Sequence, residues 1–87
     1  MERRILVIDD ETSIQNSLKG ALTDEGYLTQ TASSGKEGLK LIENDPPELI
    51  LLDIWMTGMD GLETLEIIKG RLPQSVVIMM SGHGTIE

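Results

Sequence analysis

Asp9 and Asp10 follow directly on the apolar run Ile5-Leu6-Val7-Ile8, and Asp53 ends a second run, Leu49-Ile50-Leu51-Leu52. Uninterrupted apolar runs of this length are what strands covered on both faces require. In open parallel sheets the binding crevice lies beyond the carboxyl ends of the strands, so the acids converge there if the two runs are neighbours. Two carboxylates about 5 Å apart repel by roughly 3 kcal/mol at an effective dielectric of about 20. A proton held at raised pKa, or a cation, offsets that cost. An all-oxygen donor set suits Mg2+, with Mn2+ as a substitute. No His or Cys stands at these positions, which argues against zinc. A lone Asp after a strand is commonly a helix cap or an Asx turn. The pair Asp9–Asp10 together with Asp53 favours a site.

The residues after Asp53, Ile-Trp-Met-Thr-Gly-Met-Asp-Gly, read as a loop punctuated by Gly58 and Gly61, with Asp60 placed to cap the helix that follows. Such a loop can turn a backbone carbonyl toward a cation, that of Trp55 first among them. The run Val76–Met80 leads into Ser81-Gly82, a hydroxyl followed by a residue whose backbone can approach a ligand closely. Acids, a hydroxyl and free N–H groups around a cation describe a phosphoryl site in which Asp53 is the candidate nucleophile. His83, alone in a glycine-flanked loop, receives no role. Met56, Met59, Met79 and Met80 are read as core filling.

The elements that must position these groups alternate along the chain. Strand-like runs occupy 4–8, 27–32, 48–53 and 76–80; the second mixes polar and apolar residues and reads as an edge. Three helices separate them. In the first, Ile14, Leu18, Ala21 and Leu22 share a face, Thr12 and Gln15 are placed to form a capping box, and Gly26 ends it. The second opens at Ser34-Gly-Lys-Glu37, presents Leu39 and Ile42, and stops at Pro46-Pro47. The third opens at Asp60-Gly-Leu-Glu63, presents Leu62, Leu65 and Ile68, and ends before Pro73. The order β-α-β-α-β-α-β implies an α/β, doubly wound parallel sheet in one domain spanning 1–87.

Composition narrows the function classes. Fifteen acids against seven bases give a net charge of −8, which argues against direct nucleic-acid binding by this segment. No apolar stretch approaches the roughly 20 residues that cross a bilayer, and the first residues lack a signal-peptide pattern. Cysteine is absent, so disulfides and thiolate metal sites are excluded, which fits a cytoplasmic protein.

Three segments, "ILVIDDE", "LILLDIWMTGMDG" and "VIMMSGHGTIE", together resemble the receiver domain of bacterial two-component response regulators, in order and spacing. The resemblance covers the whole chain, and around "MSGHGTIE" it is most similar to the nitrogen-regulation class that controls sigma-54-dependent activators. It implies a flavodoxin-like receiver fold with strand order 2-1-3-4. It also implies Asp53 as phospho-acceptor and metal ligand, Asp10 as direct Mg2+ ligand, Asp9 acting through water, the Trp55 carbonyl completing the shell and Ser81 contacting the phosphoryl group. The implied partners are a sensor histidine kinase and the protein's own output domain, of DNA-binding or sigma-54 activator type.

Two departures from the family pattern stand out. Thr57 replaces a usual proline, an effect of order 0.4–1 kcal/mol on loop rigidity. The fifth strand and last two helices of the family, with an aromatic switch residue and a phosphate-pairing lysine, have no counterpart in the 87 residues. The resemblance therefore implies a receiver domain incomplete at its C-terminus, with an unpaired apolar edge that favours self-association. Two other functions share the acids. A Mg2+-dependent phosphohydrolase using an aspartyl-phosphate needs a general acid two residues after its nucleophile, where this chain has Trp55. A receiver-like interaction module that is never phosphorylated has no need of the intact set Asp9, Asp10 and Asp53.

Overall fold

Apolar runs and amphipathic stretches fold in the computed structural model, which describes residues 3–56 and 61–80, into a four-stranded parallel sheet and three helices. In chain order these are β1 (Arg4–Ile8), α1 (Thr12–Asp24), β2 (Leu28–Ala32), α2 (Gly35–Asn44), β3 (Leu49–Asp53), α3 (Gly61–Arg71) and β4 (Val76–Met80). The spatial order is β2-β1-β3-β4. The polar-apolar strand β2 is an edge, as its composition requires. The buried strands β1 and β3 lie side by side at the centre, with Ile8 opposite Leu52.

The main core lies between the sheet and α2 with α3. Leu6, Ile8, Ile50 and Leu52 project from the strands to meet Leu39, Ile42 and Ile68 from the helices. Met56 joins them from the loop after β3, so it fills the core as expected. The other face is less evenly covered. Ile5 and Val7 are buried there, Leu49 and Leu51 are half-buried, and Val76 and Ile78 are 58% and 48% exposed. Among the described residues β4 pairs only with β3. A continuously apolar sequence therefore does not bring burial on both faces here: Val77 and Met79 pack on the core, and their neighbours face out.

Helix ends follow local chemistry at most positions. The Ser34 side chain accepts the Glu37 N–H at 3.1 Å, while the Glu37 carboxylate accepts the Ser33 N–H at 2.7 Å, a capping box with its return bond displaced by one residue. Gly26, at φ +95°, closes α1, with the Tyr27 N–H bonded to the Leu22 carbonyl. Asp60, the expected cap of α3, lies outside the described residues.

Three local expectations are corrected. Thr12 and Gln15 form no capping box: Thr12 is already helical, Glu11 is the N-cap and its side chain does not cap the helix, and Gln15 turns inward to buried carbonyls. Those carbonyls need a donor more than a solvent-accessible helix start does. Ala21 is exposed, because α1 rests on the sheet through a narrower stripe. Leu62 is 64% exposed instead of facing the core. Gly61, Thr64 and Ile68 form the inward stripe of α3, which turns Leu62 outward by about 100°.

Gly61 explains why that stripe is the inner one. A Cβ there would collide with the Ile54 Cα and lie 2.5 Å from the Asp53 carbonyl oxygen, both main-chain atoms. The first turn of α3 can approach the end of β3 only without a side chain. Gly70, in the same helix, has nothing within 4 Å of its missing Cβ. Gly61→Ala is expected to lower unfolding free energy by about 1–3 kcal/mol, whereas Gly70→Ala raises it by about 0.5–1 kcal/mol. Denaturant melts followed by far-ultraviolet circular dichroism test the pair, and equal shifts would contradict the close approach.

Candidate functional site: an acid cluster at the carboxyl end of the sheet

The pairing of β1 with β3 brings their ends together. Asp9 is the first residue past β1 and Asp53 the last of β3, and both are fully buried. Asp10 is partly exposed. One carboxylate oxygen from each of Asp9, Asp10 and Asp53 lies within 4.8 Å of the others. The three acids singled out by their positions after strands therefore do converge.

Each buried acid also organises the loop that leaves it. The Asp9 Oδ1 accepts the Glu11 N–H at 2.9 Å, and the Asp53 Oδ1 accepts the Trp55 N–H at 3.0 Å. Both are Asx-type turns to the second residue on. Turn-forming and site-forming roles thus coexist in these aspartates: one oxygen shapes a turn while the side chain joins the cluster. The Ile54 N–H donates to the Met80 carbonyl at 3.0 Å, so the loop start is also tied to the end of β4.

The electrostatics favour an occupant of positive charge. Among the described residues the Asp9 Oδ2 is buried without a hydrogen-bond partner. Burial pushes the Asp9 pKa up from its ordinary value of 3.8; the Glu11 N–H opposes this, and the charges of Asp53, Asp10 and Glu11 reinforce it. An orphaned buried oxygen within an all-oxygen donor set fits a hard divalent cation such as Mg2+.

Trp55 contributes its backbone N–H to this corner, and the residue is 61% exposed. Ser81, His83, Thr57 and Gly58 lie outside the described residues. Sequence reasoning missed the part played by Gln15, whose side-chain amide donates to the Asp9 carbonyl at 2.6 Å. The available signal was a polar residue between Ile14 and Leu18, near the apolar side of α1.

The chain is similar to known proteins along its length. Residues 5–87 match the response regulator receiver domain family. The chain is 47% identical over 85 residues to a putative NtrX-like response regulator of Rickettsia typhi, covering 95% of this chain and 18% of that protein. It is 47% identical over 89 residues to the nitrogen assimilation regulatory protein NtrX of Azorhizobium caulinodans, covering all of this chain and 20% of that one. The chain thus spans about a fifth of the length of these curated relatives. Among solved structures, a CheY-like response regulator receiver domain protein from Methanospirillum hungatei superposes with a TM-score of 0.92 at 38% identity, covering 99% of this chain and 69% of that one. The strand order, the match over 5–87 and these relatives agree, and the chain belongs to the response regulator receiver domain family of two-component systems.

Proposed function

We propose that this chain is the phospho-accepting part of a response regulator, in which Asp53 takes a phosphoryl group from a sensor histidine kinase. The observation that carries the reading is the convergence of Asp9, Asp10 and Asp53 within 4.8 Å, with the Asp9 Oδ2 buried and unpartnered among the described residues. A carboxylate oxygen of Asp53 forms the new O–P bond as the P–N bond to the kinase imidazole breaks, the ring nitrogen keeping the electron pair. Asp10 and Asp53 would hold the cation directly and Asp9 through water, and the Trp55 carbonyl would complete the protein's share. Bound Mg2+ supplies neutralisation of the acids and of the phosphoryl oxygens. The turn that bonds the Trp55 N–H to Asp53 keeps that backbone beside the acid. Ser81 supplies the hydroxyl toward the phosphoryl group.

The chain itself performs no turnover beyond this transfer, and acts in the cytoplasm. The longer NtrX relatives support an output region that regulates transcription. The exposed apolar side chains of β4 support a further contact, between copies of the chain.

Three outcomes are expected. Incubation with Mg2+ and a small phosphodonor adds one phosphoryl group by intact mass in the parent protein, and Asp53→Asn abolishes the adduct; an adduct that persists in the variant contradicts the assignment.

The second concerns pH. The folded chain holds a proton on Asp9 above pH 3.8, where the unfolded chain has released it. Stability contributed by that proton is therefore lost as pH rises through the raised pKa. Without divalent cation, Asp9→Asn should be about 1–3 kcal/mol more stable than wild type at neutral pH, with the gap closing toward pH 3.8. Mg2+ should raise the wild-type melting temperature and leave the variant nearly unmoved.

The third is assembly. Sedimentation velocity of the 87-residue chain should show concentration-dependent association that Ile78→Lys reduces. A wild-type monomer at all concentrations removes the contact between copies.

A further inference from the structure

Asp9 is held from behind as well as in front. Gln15 is the one residue of α1 that is buried, at 8% exposure. Its Nε2 donates to the Asp9 carbonyl at 2.6 Å and to the Ser33 Oγ at 3.1 Å, with the Ala32 carbonyl at 3.4 Å as a longer, shared contact. The Ala32 carbonyl also accepts the Asp9 N–H at 3.0 Å. Both main-chain polar groups of Asp9 are thus tied to the end of β2 and the turn after it.

The Asp9 carbonyl belongs to the peptide plane that joins Asp9 to Asp10. Because that plane is rigid, holding its oxygen limits the two dihedrals that flank it. Those dihedrals set the directions in which the Asp9 and Asp10 side chains leave the backbone. The two carboxylates repel each other and Asp53, so without a restraint the plane is free to turn and separate them. A buried amide with two N–H groups suits this role. It is neutral, so it leaves the charge of the cluster unchanged, and it bridges acceptors at the ends of two strands. An apolar residue of the same size would fill the space and leave the Asp9 carbonyl without this donor.

We propose that Gln15 is a positioning residue for the acid cluster, fixing the Asp9–Asp10 peptide so that the two carboxylates are presented together to a divalent cation. The inference rests on reading the cluster as a cation site. Gln15→Met keeps the side-chain length and removes the donors. Ile42→Val, a buried change in α2, serves as a control for lost stability alone.

Two measurements decide it, both on the 87-residue chain below the melting temperature of every variant. Mn2+ titration with free ion counted by paramagnetic resonance should show about a tenfold loss of affinity in Gln15→Met and none in Ile42→Val. Amide hydrogen exchange without cation should show the Glu11 N–H, which bonds to the Asp9 Oδ1, exchanging at least about tenfold faster in Gln15→Met relative to the core Ile50 amide. Wild-type affinity in Gln15→Met, or Glu11 exchange that only follows Ile50, overturns the proposal. If the wild type binds no Mn2+, the cation reading fails, and the exchange measurement alone decides whether Gln15 holds the acid pair.

Discussion

Ile8 and Leu52 stand opposite each other in the parallel pairing of β1 with β3, and each strand's next residue is an aspartate. That juxtaposition forces two buried carboxylates together at the carboxyl end of the sheet. A one-residue slip would reverse the side-chain alternation of one strand relative to its neighbour, sending the core set Ile50 and Leu52 to the other face. Hydrophobic burial at Leu6, Ile8, Ile50 and Leu52 thus specifies the register, and the register brings like charges together. The core stabilises an arrangement that electrostatics alone would disperse.

The two acids use their oxygens in the same way. Each commits one to hold the N–H of the second residue on, so the loops after β1 and β3 are built on the acids whose cluster they surround. Gly61 brings α3 against the other side of Asp53 at main-chain distance. Asp53 is consequently enclosed by a neighbouring strand, its own turn and the start of α3. That enclosure accounts for both its complete burial and the limited room for change around it.

A cleft of about 630 Å³ lies at the amino ends of β3 and β4, lined by residues including Pro46, Pro47, Arg71, Leu72 and Pro73. The nearby charges pair across the surface, Arg71 with Glu43 and Arg4 with Asp45, at separations of 3.4 and 2.7 Å. Such exposed pairs contribute little, about 0–1 kcal/mol. In a parallel sheet the chemistry collects where the strands end, and the buried acids are at that end.

Much was legible in the chain itself, because strands and helices impose periods of their own. Three apolar runs and one mixed run marked the four strands, and Ser34 with Glu37 and Gly26 marked helix ends, since these signals depend on neighbours within a few residues. The acids were legible as a site because three carboxylates placed after buried strands repel one another, a cost that a bound cation or proton offsets. What the tertiary structure decided were choices between partners distant in sequence. Gln15 had a local capping option near Thr12 and took the Asp9 carbonyl instead, since a buried acceptor at the end of β1 needs a donor more than an exposed helix start does. Leu62 matched the helical apolar pattern as well as Ile68 did, yet only the approach of Gly61 to Ile54 selected the face that turns inward. Val76 and Ile78 are as apolar as the residues of β1. Which of the β4 residues face out was set by the pleat: Val77 and Met79 pack on the core, so Val76 and Ile78 point to the opposite face.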